Sequence, residues 1–278
     1  MFGATYKASI KTILRSVIFW FALALVLGLA FYRAEEGLYG GDGDPGFVLR
    51  KSPYYVQIPL NACRAWVMFY AMPIFTVISA VILLNRDYGD NFFEIERAGN
   101  LKPSRYVLGR LAALVTVNLI VSAAAIALAV NWYVFSRGGV AHMTLGDYLK
   151  DSFVRTGRCY VCCVIPSILM YIGFTYLLGN LFKSGFAAAA GGLGYVLFSY
   201  LCGYQLRFRM PQVYHKYLSP LPENLYIYIG YIDTPSFKGI VKYFNMTPMD
   251  PVICVLILTG AAVLWSAVAY WCIRRRKI

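Results

Sequence analysis

Charged side chains are scarce in this chain. They make up 14% of its 278 residues, where an ordinary soluble domain carries about 25%. So few charges would not cover the surface of a water-soluble globule. Histidine is scarcer still: His142 and His215 are the only two, and both fall outside the long apolar runs. That excludes a zinc centre or a Ser–His pair working inside a membrane. Acid is also in deficit, with 13 Asp and Glu against 26 Lys and Arg. What is abundant is apolar: 59% of the residues are hydrophobic and 17% aromatic. This excludes a disordered chain and points to an all-α polytopic membrane protein.

A bilayer core about 30 Å thick needs roughly 20 apolar residues in a helix. Six stretches meet that need: 16–32, 65–84, 111–135, 159–178, 185–203 and 251–273. Between their ends they hold no Asp, Glu, Lys, Arg or His. Proton relays and many ion-coupled carriers need ionisable groups at that depth, and an aspartate pair for intramembrane proteolysis is absent too. A sodium-coupled carrier working through backbone carbonyls stays open. Lys7, Lys11 and Arg15 before the first stretch resemble a signal-peptide flank. The long apolar run and its poor cleavage site (Ala30-Phe31-Tyr32-Arg33-Ala34) favour a retained span.

An even number of spans puts both termini on one side. Basic residues at span ends favour the cytoplasm. Lys7, Lys11 and Arg15 precede the first span, and Arg274-Arg275-Arg276-Lys277 follows the last. Parity then places Arg86, Arg97, Lys102, Arg105, Arg110 and Lys183 inside as well. Half of the 26 basic residues thus crowd into the shorter, inner segments. The net charge of +13 reports orientation, and no basic stripe with interleaved aromatics calls for nucleic acid. The expected setting is the cell membrane, multi-pass, with both termini cytoplasmic. At 100° per residue, Phe2, Tyr6, Ile10, Ile13 and Val17 share a stripe opposite Lys7, Lys11 and Arg15. This predicts an interfacial helix over 1–15.

Several motifs reduce to packing or turns. Cys159-x-x-Cys162-Cys163 has no histidine or second cysteine pair nearby, and reads as small apolar packing at the start of a span. The other cysteines are Cys63, Cys202, Cys254 and Cys272, an odd total of seven that leaves at least one thiol unpaired. Gly40-Gly41-Asp42-Gly43-Asp44 lacks the third acid and the closing Glu of a calcium loop and reads as turns within an outer loop over 33–64. Gly179-Asn180-Leu181-Phe182-Lys183-Ser184 lacks the leading glycine of a phosphate loop and reads as a tight hairpin. Leu145, Tyr148, Leu149, Ser152 and Phe153 predict a short amphipathic helix capped by Thr144 and Asp147. The 204–250 segment is Tyr-rich and broken by prolines, which predicts an extracellular re-entrant or interfacial structure.

Polar groups within the spans are mild: Thr76, Ser79, Asn118, Ser122, Ser167, Thr175 and Ser199. Asn118 and Thr175 are candidates for helix packing or for lining a pore. So are Ala188 and Gly192, whose four-residue spacing lets helices approach closely. Packing inside one bundle is the simpler reading.

The segment 85–105 carries the most specific pattern. Tyr88, Phe92, Ile95 and Gly99 follow helical spacing on one side, while Asp87, Asp90, Glu94 and Arg97 are expected to project toward water. Gly99 suits a helix stop and Pro103 the first turn of the next helix. This predicts a short cytoplasmic helix mounted on two spans. Glu96, Gly99, Leu101, Pro103, Ser104, Arg105 and Arg110 follow one another as in the membrane subunits of ABC-2 type transporters, which the chain resembles. The tight Lys183-Ser184 turn and the basic C-terminal end are also similar.

The resemblance implies a single six-span domain over 1–278, with a coupling helix in the 85–105 loop. It implies that Tyr88, Phe92, Glu94, Glu96, Arg97, Gly99 and Pro103 take part in ATPase coupling. The partners it implies are a separate ABC ATPase subunit and a second membrane subunit, the same or different, in a lipid bilayer. This chain would be no enzyme and bind no cofactor itself, ATP and Mg acting through the ATPase. The expected activity is export of a peptide, lipid-linked or amphipathic substrate. Two rivals stand beside it: an ATP-independent carrier or channel, and a membrane sensor or assembly protein.

Overall fold

The computed structural model describes residues 2–39, 71–89, 103–136, 157, 160–201, 209–210 and 251–275. They form seven α-helices: α1 (Phe2–Arg15), α2 (Val17–Tyr39), α3 (Ala71–Gly89), α4 (Pro103–Ser136), α5 (Ile165–Phe182), α6 (Gly185–Tyr200) and α7 (Pro251–Arg275). A π-helical turn, Tyr160–Val164, leads into α5. Four segments are long and apolar enough to cross a membrane: Ala71–Tyr88, Arg105–Ala129, Tyr160–Phe182 and Val252–Cys272. The pair α1 and α2 makes a fifth when counted together, bent by 67° at its break. Helix α6 has 16 residues, about 24 Å at the helical rise. Leu201 keeps helical backbone angles beyond it.

The chain is inside-out by the standard of a soluble protein. Thr76, Ser79, Asn118, Ser122, Ser167, Thr175 and Ser199 are all buried. Large apolar side chains such as Phe21, Leu25, Ile120, Phe186, Leu197, Leu256, Val263 and Leu264 are exposed. In lipid the outer surface has nothing to gain from polarity, and polar groups must find partners within the bundle. Helices α3 and α5 are the most buried, and α7 presents most of its apolar surface outward.

Close approaches set the packing. A Cβ on Gly173 of α5 would lie 2.8 Å from the Ser266 amide nitrogen of α7, so only glycine permits that contact. Beside it the Phe174 ring meets Trp265 edge-on at 5.3 Å. Gly192 of α6 faces Val77 of α3, 2.7 Å from where a Cβ would stand, and Thr175 Oγ1 of α5 at 3.3 Å. Ala188 is fully buried on the same side.

Several expectations need correction. Helix α2 runs through Tyr39, into what was expected to be an outer loop from 33. Ala34, Glu35, Glu36 and Leu38 are good helix formers, so the helix continues past its apolar part. Helix α4 opens at Pro103, as expected, and its apolar span lies within it. In α1 the buried face centres on Thr5, Ser9 and Ile13. The expected stripe is rotated: Tyr6 and Ile10 are half-buried, and Phe2 and Val17 are exposed. The reason is local. A Cβ on Gly109 of α4 would lie 3.1 Å from Thr5, so α1 settles its small residues into that gap. The capped helix over 144–153, the 40–64 turns and all of the extracellular segment except 209–210 lie outside the described residues.

Candidate functional site

The last turns of α3 read Asn85-Arg86-Asp87-Tyr88. Successive side chains on an α-helix point about 100° apart, so four in a row sweep most of the way round the axis. Because α3 is surrounded by other helices, each of the four meets a different one. A side chain on Gly185, the first residue of α6, would overlap the Asn85 amide oxygen. The Arg86 guanidinium donates to Thr12 Oγ1 on α1. Asp87 pairs with Arg110 on α4. The Tyr88 hydroxyl donates to Asn180 Oδ1 on α5 at 3.1 Å. One short stretch therefore ties α3 to four neighbours at one end of the bundle.

The Asp87–Arg110 pair is the centre of this clasp. Both side chains are almost fully buried, 4% and 3% exposed, which decides that water does not solvate the charges. Arg110 Nη2 donates to Asp87 Oδ1, and its Nε donates to the Tyr106 hydroxyl at 3.0 Å. Its guanidinium carbon also stands 5.0 Å from the Tyr106 ring centre, a cation–π contact made stronger by desolvation. The planar fork of arginine serves an acid and a phenol at once in a fixed geometry, which a rotatable lysine ammonium lacks. The fully buried Tyr176 of α5 approaches the same charges.

The expectation that Asp87 projects toward water is therefore wrong. Helix α3 continues to Gly89, so Asp87 belongs to α3 and faces α4. Its partner lies 23 residues away in sequence, beyond the reach of any local periodicity. A sequence-level trace did exist: one acid just after an apolar run and one base just before the next.

A second polar tie lies deeper. Thr76 Oγ1 donates to Asn118 Oδ1 at 2.9 Å. Asn118 Nδ2 donates to Ser79 Oγ and to the Leu114 carbonyl, each at 2.9 Å. Asn118 thus binds α4 to α3. Thr175 donates to the Tyr171 carbonyl of its own helix at 2.7 Å. Ala188 and Gly192 line the α6 face packed on α3 and α5.

Of the residues expected to couple to an ATPase, Tyr88 lies in the clasp and Pro103 opens α4. Phe92, Glu94, Glu96, Arg97 and Gly99 lie outside the described residues. Asn85, Arg86, Asp87 and Asn180 join the site without having been expected to act in coupling. Lys183 occupies the left-handed position at φ 50° that ends α5. Ser184 Oγ accepts from the Ala187 amide at 3.3 Å, capping α6, so the Lys-Ser dipeptide acts as a hairpin.

The site brings together opposite charges, phenols and amides, each committed to a neighbouring helix. Among the described residues, no group of three or more His, Cys, Asp or Glu could hold a metal ion. What such an arrangement can do is transmit displacement: moving the end of α3 moves α1, α4, α5 and α6. No protein-family model matches the chain, and comparison with curated proteins gave no match.

Proposed function

We propose that the chain is the membrane subunit of an ATP-driven export system of ABC-2 type, working with a separate ATPase. In this reading α1–α2 and the stretch 185–203 each count as a span, for six in the cell membrane, with both termini cytoplasmic. The 85–105 loop carries the coupling contacts, and two membrane subunits pair to form the path. The observation that carries the reading is the clasp. The 90–102 segment is strung between α3 and α4, whose ends are locked to each other by Asp87–Arg110 and to the bundle by Asn85, Arg86 and Tyr88. A lever on slack linkers would dissipate a push; one mounted on this clasp delivers it to five helices together.

The sequence of events follows from that mounting. ATP-driven closure of the ATPases displaces the segment carrying Phe92, Glu94, Glu96 and Arg97. The clasp passes the displacement to the bundle, which shifts between inward- and outward-facing states. The lever must contact the two ATPase states differently, since equal contact would shift no equilibrium. The absence of ionisable residues at mid-span supports an energy source outside the membrane. Substrate is then handled by mild polar and apolar surface, as suits an amphipathic cargo.

The test is purification of the full chain from its native membrane in mild detergent. The expected result is co-purification of an ATPase with vanadate-sensitive hydrolysis. Glu96→Ala and Arg97→Glu should leave the complex assembled and abolish the coupling of hydrolysis to transport. Transport by the chain alone in vesicles without ATP would overturn the class. Unaltered coupled transport in both variants would overturn the roles given to those two residues.

A further inference from the structure

A different feature faces away from the clasp. Lys7, Lys11 and Arg15 stand four residues apart on α1, in one line about 12 Å long by the helical rise. All three are exposed, and the line points opposite the face of Thr5, Ser9 and Ile13 that α1 buries in the bundle. Among the described residues, no hydrogen bond or ion pair engages any of them. Helix α1 is set at 67° to the membrane-long α2, which brings it toward the plane of the bilayer surface.

Depth is marked independently. Trp20, one turn into α2, is exposed and donates its indole N–H to the Leu14 carbonyl at 2.8 Å. That carbonyl belongs to the last turn of α1 and would otherwise lack a partner. An exposed indole with its N–H satisfied beside a helix end is the arrangement of an interfacial belt, ring toward the acyl chains and polar edge toward the headgroups. Around the same bend Leu14, Val17, Ile18 and Phe21 are exposed and apolar. A cationic line bordered by lipid-facing side chains suits a lipid better than a soluble acidic partner, which would leave those side chains uncovered.

We propose that the Lys7–Lys11–Arg15 line of α1 is a binding site for the headgroups of acidic phospholipids. The phosphodiester charges lie along the basic line while the acyl chains run down past Val17, Ile18 and Phe21. This goes beyond the transport reading and stands or falls separately from it, because its readout is lipid retention and involves no ATPase.

The experiment is native mass spectrometry of the full chain released from detergent, titrated with phosphatidylglycerol or with phosphatidylcholine. The parent should bind phosphatidylglycerol in preference. A basic residue near an anionic surface contributes about fivefold in affinity. The triple variant Lys7→Gln, Lys11→Gln, Arg15→Gln should therefore weaken the tightest phosphatidylglycerol site at least tenfold. The control Arg274→Gln, Arg275→Gln, Arg276→Gln should retain it. The parent's preference should also fall between about 0.05 and about 0.5 M ammonium acetate, as screening shortens. Equal binding of the two lipids by the parent, or undiminished phosphatidylglycerol binding by the first variant, would overturn the site. Loss in the control equal to that in the first variant would also overturn it, by showing a general charge effect.

Discussion

Removing one member of a buried ion pair strands the other where no water can solvate it, which costs about 3–5 kcal/mol. Asp87→Asn leaves the Arg110 guanidinium in that position, and Arg110→Met leaves the Asp87 carboxylate. Each single variant should lower the temperature at which the detergent-solubilised chain loses its monodisperse elution. The double variant Asp87→Leu, Arg110→Met removes both charges and should recover much of the loss, because the attraction in such pairs barely exceeds their desolvation. A double variant no better than either single one would show that the two side chains do not act as a pair. The Asn118 tie is weaker. Hydrogen bonds between membrane helices average about 0.6 kcal/mol and reach about 1.7. Asn118→Leu breaks contacts to both Thr76 and Ser79 and should cost about 1–2 kcal/mol, less than either charge variant in the same melting series. The difference between these residues explains what the sequence could reveal. Asn118, Thr76 and Ser79 stood out as polar letters in apolar runs, and burial was the natural expectation for them. Asp87 stood among other charges at the edge of a run, where composition alone cannot say which acid turns inward.

Helices add constraints that no single residue carries. Among the described residues the long apolar helices were legible, because apolar runs of that length have few other uses. Ends were less legible: Pro103 marked the start of α4, but α2 extends beyond its apolar part to Tyr39. The face of α1 was legible only as amphipathic: hydrophobicity marked Phe2 and Val17, while contact selected Thr5 and Ser9 because small residues fit against Gly109. The α5–α7 contact depends in the same way on Gly173. Gly173→Ala should destabilise the bundle by about 1–3 kcal/mol, the usual range for overpacking a dense interior. The new methyl meets the Ser266 amide nitrogen and the Trp265 carbonyl carbon as well as Ser266 Oγ, so turning one side chain away does not relieve it. Gly194, around which a Cβ would meet nothing within 4 Å, provides the control, and Gly194→Ala should be neutral or slightly stabilising. At the hairpin, Ser184→Ala removes the cap of α6 and should cost about 1 kcal/mol. Equal melting of the Gly173→Ala and Gly194→Ala variants would refute the close packing of α5 on α7.

For the whole molecule, the clasp has a topological consequence. Thr12, Asn85–Tyr88, Arg110, Asn180 and Gly185 meet at one end of the bundle, so Lys183 shares that end with the α1–α3–α4 junction. Arg86, Arg110 and Lys183 thus lie at the same end of the bundle, although they are scattered along the chain. The orientation of α6 is where span counting is most exposed. Its 16 residues cover about 24 Å of a core about 30 Å thick. Continuing through 203 would bring it to about 28 Å, a mismatch that slight local thinning of the bilayer absorbs. Crossing is therefore expected, and it places 204–250 opposite Lys183. Insertion of a fluorescent protein that matures only in the cytoplasm, or of a phosphatase active only outside it, reads the two sides directly. Fluorescence is expected for insertions after Lys183 and after Ile278. Phosphatase activity is expected for insertions after Gly41 and after Ser236. Fluorescence after Ser236 would show that α6 enters and returns without crossing. The terminus after α7 would then lie outside, and with it the even count from which both cytoplasmic ends were inferred would fail.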